Sequence, residues 1–188
     1  MGRPGEETRR ASQPATWTDV MPSGRTHAKA TLILTAAATA AAPLYASFLG
    51  WESLALIPGC LVGLVVHPDH DTNYGTYSLR LIYDRLGALP ALMWTMIWRP
   101  YGLLVRHRSV ISHSLIFGTV LRLLYLGVIF GALASPLLAL FLLAGYGEIL
   151  GRVFFAAFTW PGSWYAFWGL VLADGLHLLM DWIGGWRL

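Results

Sequence analysis

The sequence predicts an all-α integral membrane protein, a bundle of about four spans with one interfacial helix and one re-entrant or non-crossing segment. Three observations predict it. Hydrophobic residues make up 56% of the 188-residue chain and charged residues only 12%, a balance outside that of ordinary soluble domains. The apolar residues gather into runs close to the roughly 20 residues that a bilayer-crossing helix needs. Trp94, Trp98, Trp182 and Trp186 stand at the ends of such runs, where amphipathic rings anchor a membrane–water interface.

Residues 1–20 are rich in Arg, Glu, Ser, Thr and Pro and contain no apolar h-region, so they are not a secretory signal and read as a disordered extension. Residues 21–188 are expected to form one membrane-embedded domain. Ala30 to Trp51 is a run of 22 residues without a charge, and Ser53 to Val66 adds 14 more after Glu52. This predicts a helical hairpin that tolerates Pro43 if the carbonyl it frees finds a partner. Residues 67–108 then turn polar. Inside them Leu86 to Trp98 has only 13 uncharged residues and contains Pro90, which is too short to span and predicts a helix lying in the interface. A third span is expected from about Ser109, stopping at Ser135-Pro136. Leu137 to Phe158 is broken by Gly145, Gly147, Glu148, Gly151 and Arg152, with Glu148 and Arg152 spaced to pair on one helix face. Ser163 to Ile183 forms the last strong helix.

Arg25 and Lys29 precede the first run, and Arg80, Arg85, Arg99, Arg106 and Arg108 follow the second, against Glu52 alone between them. The positive-inside bias therefore makes the N-terminus and the 67–108 loop cytoplasmic. An even number of crossings would bring the end of the last helix to the same face. The net charge of +3 is modest and scattered, which argues against nucleic acid as a partner and favours anionic lipid headgroups.

The ionisable groups sit at the edges of the apolar runs, where such groups have a functional reading by default. Pro68-Asp69-His70-Asp71 offers two carboxylates two residues apart to one cation, or is only a polar helix-terminating turn. His113, between Ser112 and Ser114, can have its second nitrogen fixed by a serine hydroxyl. Asp174, His177 and Asp181 fall at i, i+3 and i+7, one stripe of a helix; His177 and Asp181 can reach a common ion, although a structural hydrogen-bond seam would use the same stripe. His27, just ahead of the first run, is a weaker candidate, and His67 and His70 are expected to lie outside the ligand shell or at the surface. Asp69, His113 and Asp181 are expected to share one coordination sphere. Cys60 is the only cysteine, so the donor set is imidazole and carboxylate, which suits zinc first, with manganese, magnesium or iron as alternatives.

The sequence resembles a family of metal-binding membrane proteins of unknown function frequent in cyanobacteria, itself similar to the YdjM-like membrane-bound metal-dependent hydrolases. The resemblance rests on Ser23-Gly-Arg-Thr-His27, Pro68-Asp69-x-Asp71, Trp98-Arg-Pro100-Tyr101, His107-Arg108-Ser109, Ser112-His113-Ser114, Gly118, Arg122-Leu-Leu-Tyr125 and His177-x-x-x-Asp181. His70 departs from it, since an apolar residue is more usual there. It implies a divalent metal held by His27, Asp69, Asp71, His113, His177 and Asp181 or a subset, in a bacterial inner or thylakoid membrane with the site cytoplasmic.

The expected activity is hydrolysis of an anionic or lipid-like substrate, with Arg108 or Arg25 holding the anion and Asp174 as general base. A noncatalytic, metal-stabilised subunit of a larger membrane complex is the alternative.

Overall fold

The computed structural model describes residues 24–71, 76–106, 109 and 111–185. The expected extension over residues 1–20, together with His107, Arg108 and Trp186, lies outside the described residues, as does the side chain of Asp71.

All regular structure in the described residues is helical. Helix α1 spans Gly24–Leu49. A 3₁₀ turn, Trp51–Ala55, leads into α2, Leu56–Val62, and a second 3₁₀ turn covers Pro68–Asp71. Then come α3 (Tyr77–Leu86), α4 (Ala88–Leu104), α5 (Leu115–Leu143), α6 (Gly147–Thr159) and α7 (Pro161–Gly185). Three of these, α1, α5 and α7, are long and apolar enough to cross a membrane. The second arm of the expected hairpin is shorter: the apolar helix there covers only Trp51–Val62. It ends because the backbone tightens over Gly63 to Val65 into bonds between residues three apart, which turns the chain toward Pro68.

Two expectations about helix ends are corrected. Helix α5 does not stop at Ser135-Pro136 but runs through Pro136 to Leu143. Proline deprives the carbonyl four residues earlier of its N–H partner. That carbonyl, on Ala132, accepts a hydrogen bond from Ser135 Oγ at 2.8 Å instead, so the helix continues. The break comes at Gly145, whose φ of 83° lies in the left-handed region that suits glycine. Helix α4 in turn is longer than the 13-residue stretch expected, and Trp98 and Tyr101 are buried rather than interfacial, in a cluster with Val66.

Contacts fix the helix directions. Tyr165 Oη, near the start of α7, donates to Leu49 O at the end of α1, while His27 and Asp181, at the opposite ends of these helices, also meet. So α1 and α7 are antiparallel. Helix α2 lies parallel to α7 and very close: a Cβ on Gly59 would collide with the Ala166 carbonyl and one on Gly63, further along, with Ala173 Cβ, while one on Gly169 would meet the Leu56 carbonyl. Small residues permit such close backbone approach where large ones forbid it. The start of α5 packs beside the later turns of α7 through Thr119, Arg122 and Asp174. One end of the bundle therefore collects the start of α1, the turn after α2, the start of α5 and the end of α7. The flanks of α1, α5 and α6 leave large apolar side chains outward, among them Phe48, Leu124, Leu143 and Phe158.

Candidate metal centre

The four chain segments at that end deliver the ionisable groups. His27 is on the first turns of α1 and is buried, with its ring stacked on that of His177 at 3.9 Å. Helical spacing puts His177 and Asp181 on one face of α7. His177 Nε2 lies 3.4 Å from Asp69 Oδ1 and 3.5 Å from Asp181 Oδ2, while His27 Nε2 lies 3.1 Å from Asp181 Oδ1. Asp69 comes from the 3₁₀ turn begun by Pro68. His113 enters from the turn before α5, where Ser112 Oγ is 3.0 Å from its Nδ1.

Among the described residues, three sets of donors are gathered closely enough to hold an ion: His27, His177 and Asp181; His67, Asp69 and His177; and Asp69, His113 and Asp181. Within each set the ligand atoms all lie within 4.8 Å of one another. Around a four-coordinate zinc with bonds of about 2.0–2.1 Å, neighbouring ligand atoms stand about 3.4 Å apart, which is the range of the three separations above. Among the described residues, His177 Nε2 is buried between two carboxylates at 3.4 and 3.5 Å without a close hydrogen bond, and His27 Nδ1 is buried without a hydrogen-bond partner. Unpaired buried polar atoms are costly. The donor set and its geometry thus fit a divalent cation of the kind that binds imidazole and carboxylate. Cys60, buried in α2, belongs to none of the three sets.

His67 and His70 are both buried rather than at the surface, but His70 lies outside the three donor sets, as expected. His67 joins one of the donor sets; its Nε2 is 3.1 Å from Ser78 Oγ, which is linked at 2.9 Å to the helix-capping Thr76 hydroxyl of α3. His70 is taken up structurally. Its Nε2–H donates to the Val65 carbonyl, and its ring stacks on Trp98 at 3.9 Å and 8°. Burial pushes the pKa of His70 down to about 4 and that of His67 well below the ordinary range, so both rings are neutral. Burial alone would raise the Asp69 carboxyl, but the facing His177 imidazole outweighs it and holds Asp69 ionised. Together His27, His177, His67, His70 and Trp98 form a continuous row of ring contacts, stacked except at the tilted His67–His70 pair.

Asp174 is placed apart from the donor sets. Its Oδ2 accepts hydrogen bonds from Thr119 Oγ1 and from Arg122 Nη2, all three side chains being buried. The predicted stripe therefore divides: Asp174 faces α5, while His177 and Asp181 face α1 and the 3₁₀ turn. Arg122 also donates through Nη1 to the Ser112 carbonyl at 3.2 Å. It thereby pins the turn that carries His113 to the helix that carries His177 and Asp181, a link visible in sequence only as an arginine and an aspartate inside two apolar runs. Arg25 and Arg85 are exposed. Glu148 and Arg152 pair at 2.6 Å on the surface of α6.

A cavity of about 20 Å³ opens beside the cluster, with His27, Thr31, His67, Asp69, Tyr77 and His177 in its wall. That is room for about one water molecule.

A family model described as "Uncharacterized metal-binding protein (DUF2227)" matches residues 22–187. The chain belongs to this family. Neither a curated protein nor a solved structure matches the chain. The family's metal binding agrees with the donor sets, all of which fall inside the matched residues.

Proposed function

We propose that this is a membrane-embedded, metal-dependent hydrolase whose site lies at the cytoplasmic interface, with zinc as the first candidate ion. The observation that carries the reading is the convergence of His27, Asp69, His113, His177 and Asp181 beside a cavity the size of one water. A bound divalent ion supplies Lewis-acid chemistry there, acidifying water and polarising a scissile bond. The residues themselves hold and orient. Ser112 fixes the His113 ring, Ser78 fixes His67, and the Arg122–Asp174 pair sets the turn carrying His113. Since Asp174 is engaged by Arg122 and Thr119, its part is positioning rather than general base. A lipid-like ester or phosphoester is the substrate class, because the donor sets adjoin three helices long enough to cross a bilayer.

A second reading has its own observation. The donors come from four separate segments, so an ion there would clamp the ends of α1, α5 and α7 and stabilise a noncatalytic membrane-complex subunit. One experiment separates the two. The full chain in detergent, loaded with zinc(II), is assayed against vesicles carrying ester and phosphoester lipids. Hydrolysis that chelator removes, and that His177→Ala lacks, supports the enzyme. Absence of hydrolysis with a metal-dependent rise in melting temperature selects the clamp.

A further inference from the structure

The donor sets overlap in a way that constrains how many ions they can hold. His27, His177 and Asp181 form one set; Asp69, His113 and Asp181 another; His67, Asp69 and His177 the third. The first and third share only His177, and one imidazole nitrogen serves one ion. Those two sets therefore compete. The first and second share only Asp181, and a carboxylate has two oxygens that can face two ions. Both oxygens of Asp181 face the first set, Oδ1 at 3.1 Å from His27 Nε2 and Oδ2 at 3.5 Å from His177 Nε2; Asp69 Oδ1 reaches the same His177 nitrogen at 3.4 Å, so Oδ2 is the oxygen that shares a neighbour with the second set.

We infer that the protein carries a two-metal centre bridged by Asp181, with one ion on His27 and His177 and the other on Asp69 and His113. This rests on the metal-binding reading above and deepens it. His67 is left as a supporting residue. Its Nδ1 stands 3.7 Å from Asp69 Oδ2, longer than either His27 or His177 from Asp181, and using it would require His177 to leave the first set. The donor set around His113 keeps the Ser112 hydrogen bond to Nδ1 intact if Nε2 is the donor atom, the arrangement in which a neighbouring hydroxyl fixes the tautomer of a ligating imidazole. Paired ions at about 3.5–4 Å are the arrangement that clamps both the attacking and the leaving oxygen of an ester or phosphoester.

The test uses cobalt(II) alone as the probe, titrated into the chelator-stripped full chain in detergent, with stoichiometry from elemental analysis and coupling from electron paramagnetic resonance. The expected result is two cobalt ions per folded chain with magnetic coupling between them. His27→Gln and His113→Gln should each fall to one uncoupled ion. Saturation of the parent at one ion, or two ions without coupling, overturns the bridged centre while leaving metal binding standing. No bound cobalt in a chain that is still folded by circular dichroism overturns the metal-binding reading as well. Because parent stoichiometry and coupling decide the matter, a variant that fails to fold does not shield the proposal.

Discussion

Arg122 of α5 and Asp174 of α7 form an ion pair inside the bundle, both side chains almost wholly buried. Two desolvated charges are tolerable only as partners, and removing one leaves the other uncompensated at a cost of about 3–5 kcal/mol. Arg122→Met and Asp174→Leu are each expected to lower the melting temperature in detergent sharply. The double variant should recover much of the loss, since an apolar pair of similar volume replaces a buried ion pair with little penalty. Arg122→Met should also weaken metal retention, because Arg122 holds the Ser112 carbonyl beside His113. A double-mutant cycle with no coupling between the two positions would contradict the pairing.

Both ends of the described chain meet at the metal cluster, His27 at one and Asp181 at the other. If α1, α5 and α7 cross the bilayer, the two ends share a face, and the positive-inside rule applied to the arginine-rich residues 76–106 predicts that this face is cytoplasmic. Single cysteines at exposed Arg25 and Trp182, placed in a Cys60→Ser background, should both label only after the inner membrane is permeabilised. Labelling of one from outside and the other from inside breaks the arrangement.

Burial pushes the pKa of His70 down to about 4, below its unfolded value of about 6.5. The unfolded chain then binds more protons than the folded one between these values, so folding stability is full above about pH 6.5 and declines as the pH falls toward 4. His70→Gln, which cannot titrate, should lose less stability over that window than the parent when both are stripped of metal. Parallel pH profiles for the two would show that His70 is not held neutral in the fold.

What the sequence made legible follows from helical geometry. Asp174, His177 and Asp181 declared their common stripe by spacing alone, and the long apolar runs declared α1, α5 and α7. The packing partners of the stripe were not legible, because which residues meet Asp174 depends on how α5 lies against α7. The burial of His67 and His70 was missed for the same reason: a histidine close to Pro68 reads as a surface turn until partners from other helices, Ser78 for His67 and Trp98 for His70, are in place. The helical course through Pro136 depended on one serine hydroxyl, a local exchange of donors that the proline by itself disguised as a stop.

The central claim is that His27, Asp69, His113, His177 and Asp181 hold metal. Elemental analysis of the full chain, purified in detergent without added metal or chelator, tests it most directly when the parent is compared with Asp181→Asn, which removes the carboxylate shared by two donor sets. The account predicts a stoichiometric divalent transition metal in the parent and its loss, with lowered thermal stability, in Asp181→Asn. A folded parent without stoichiometric metal, or an Asp181→Asn variant that keeps the parent's full complement, would contradict it.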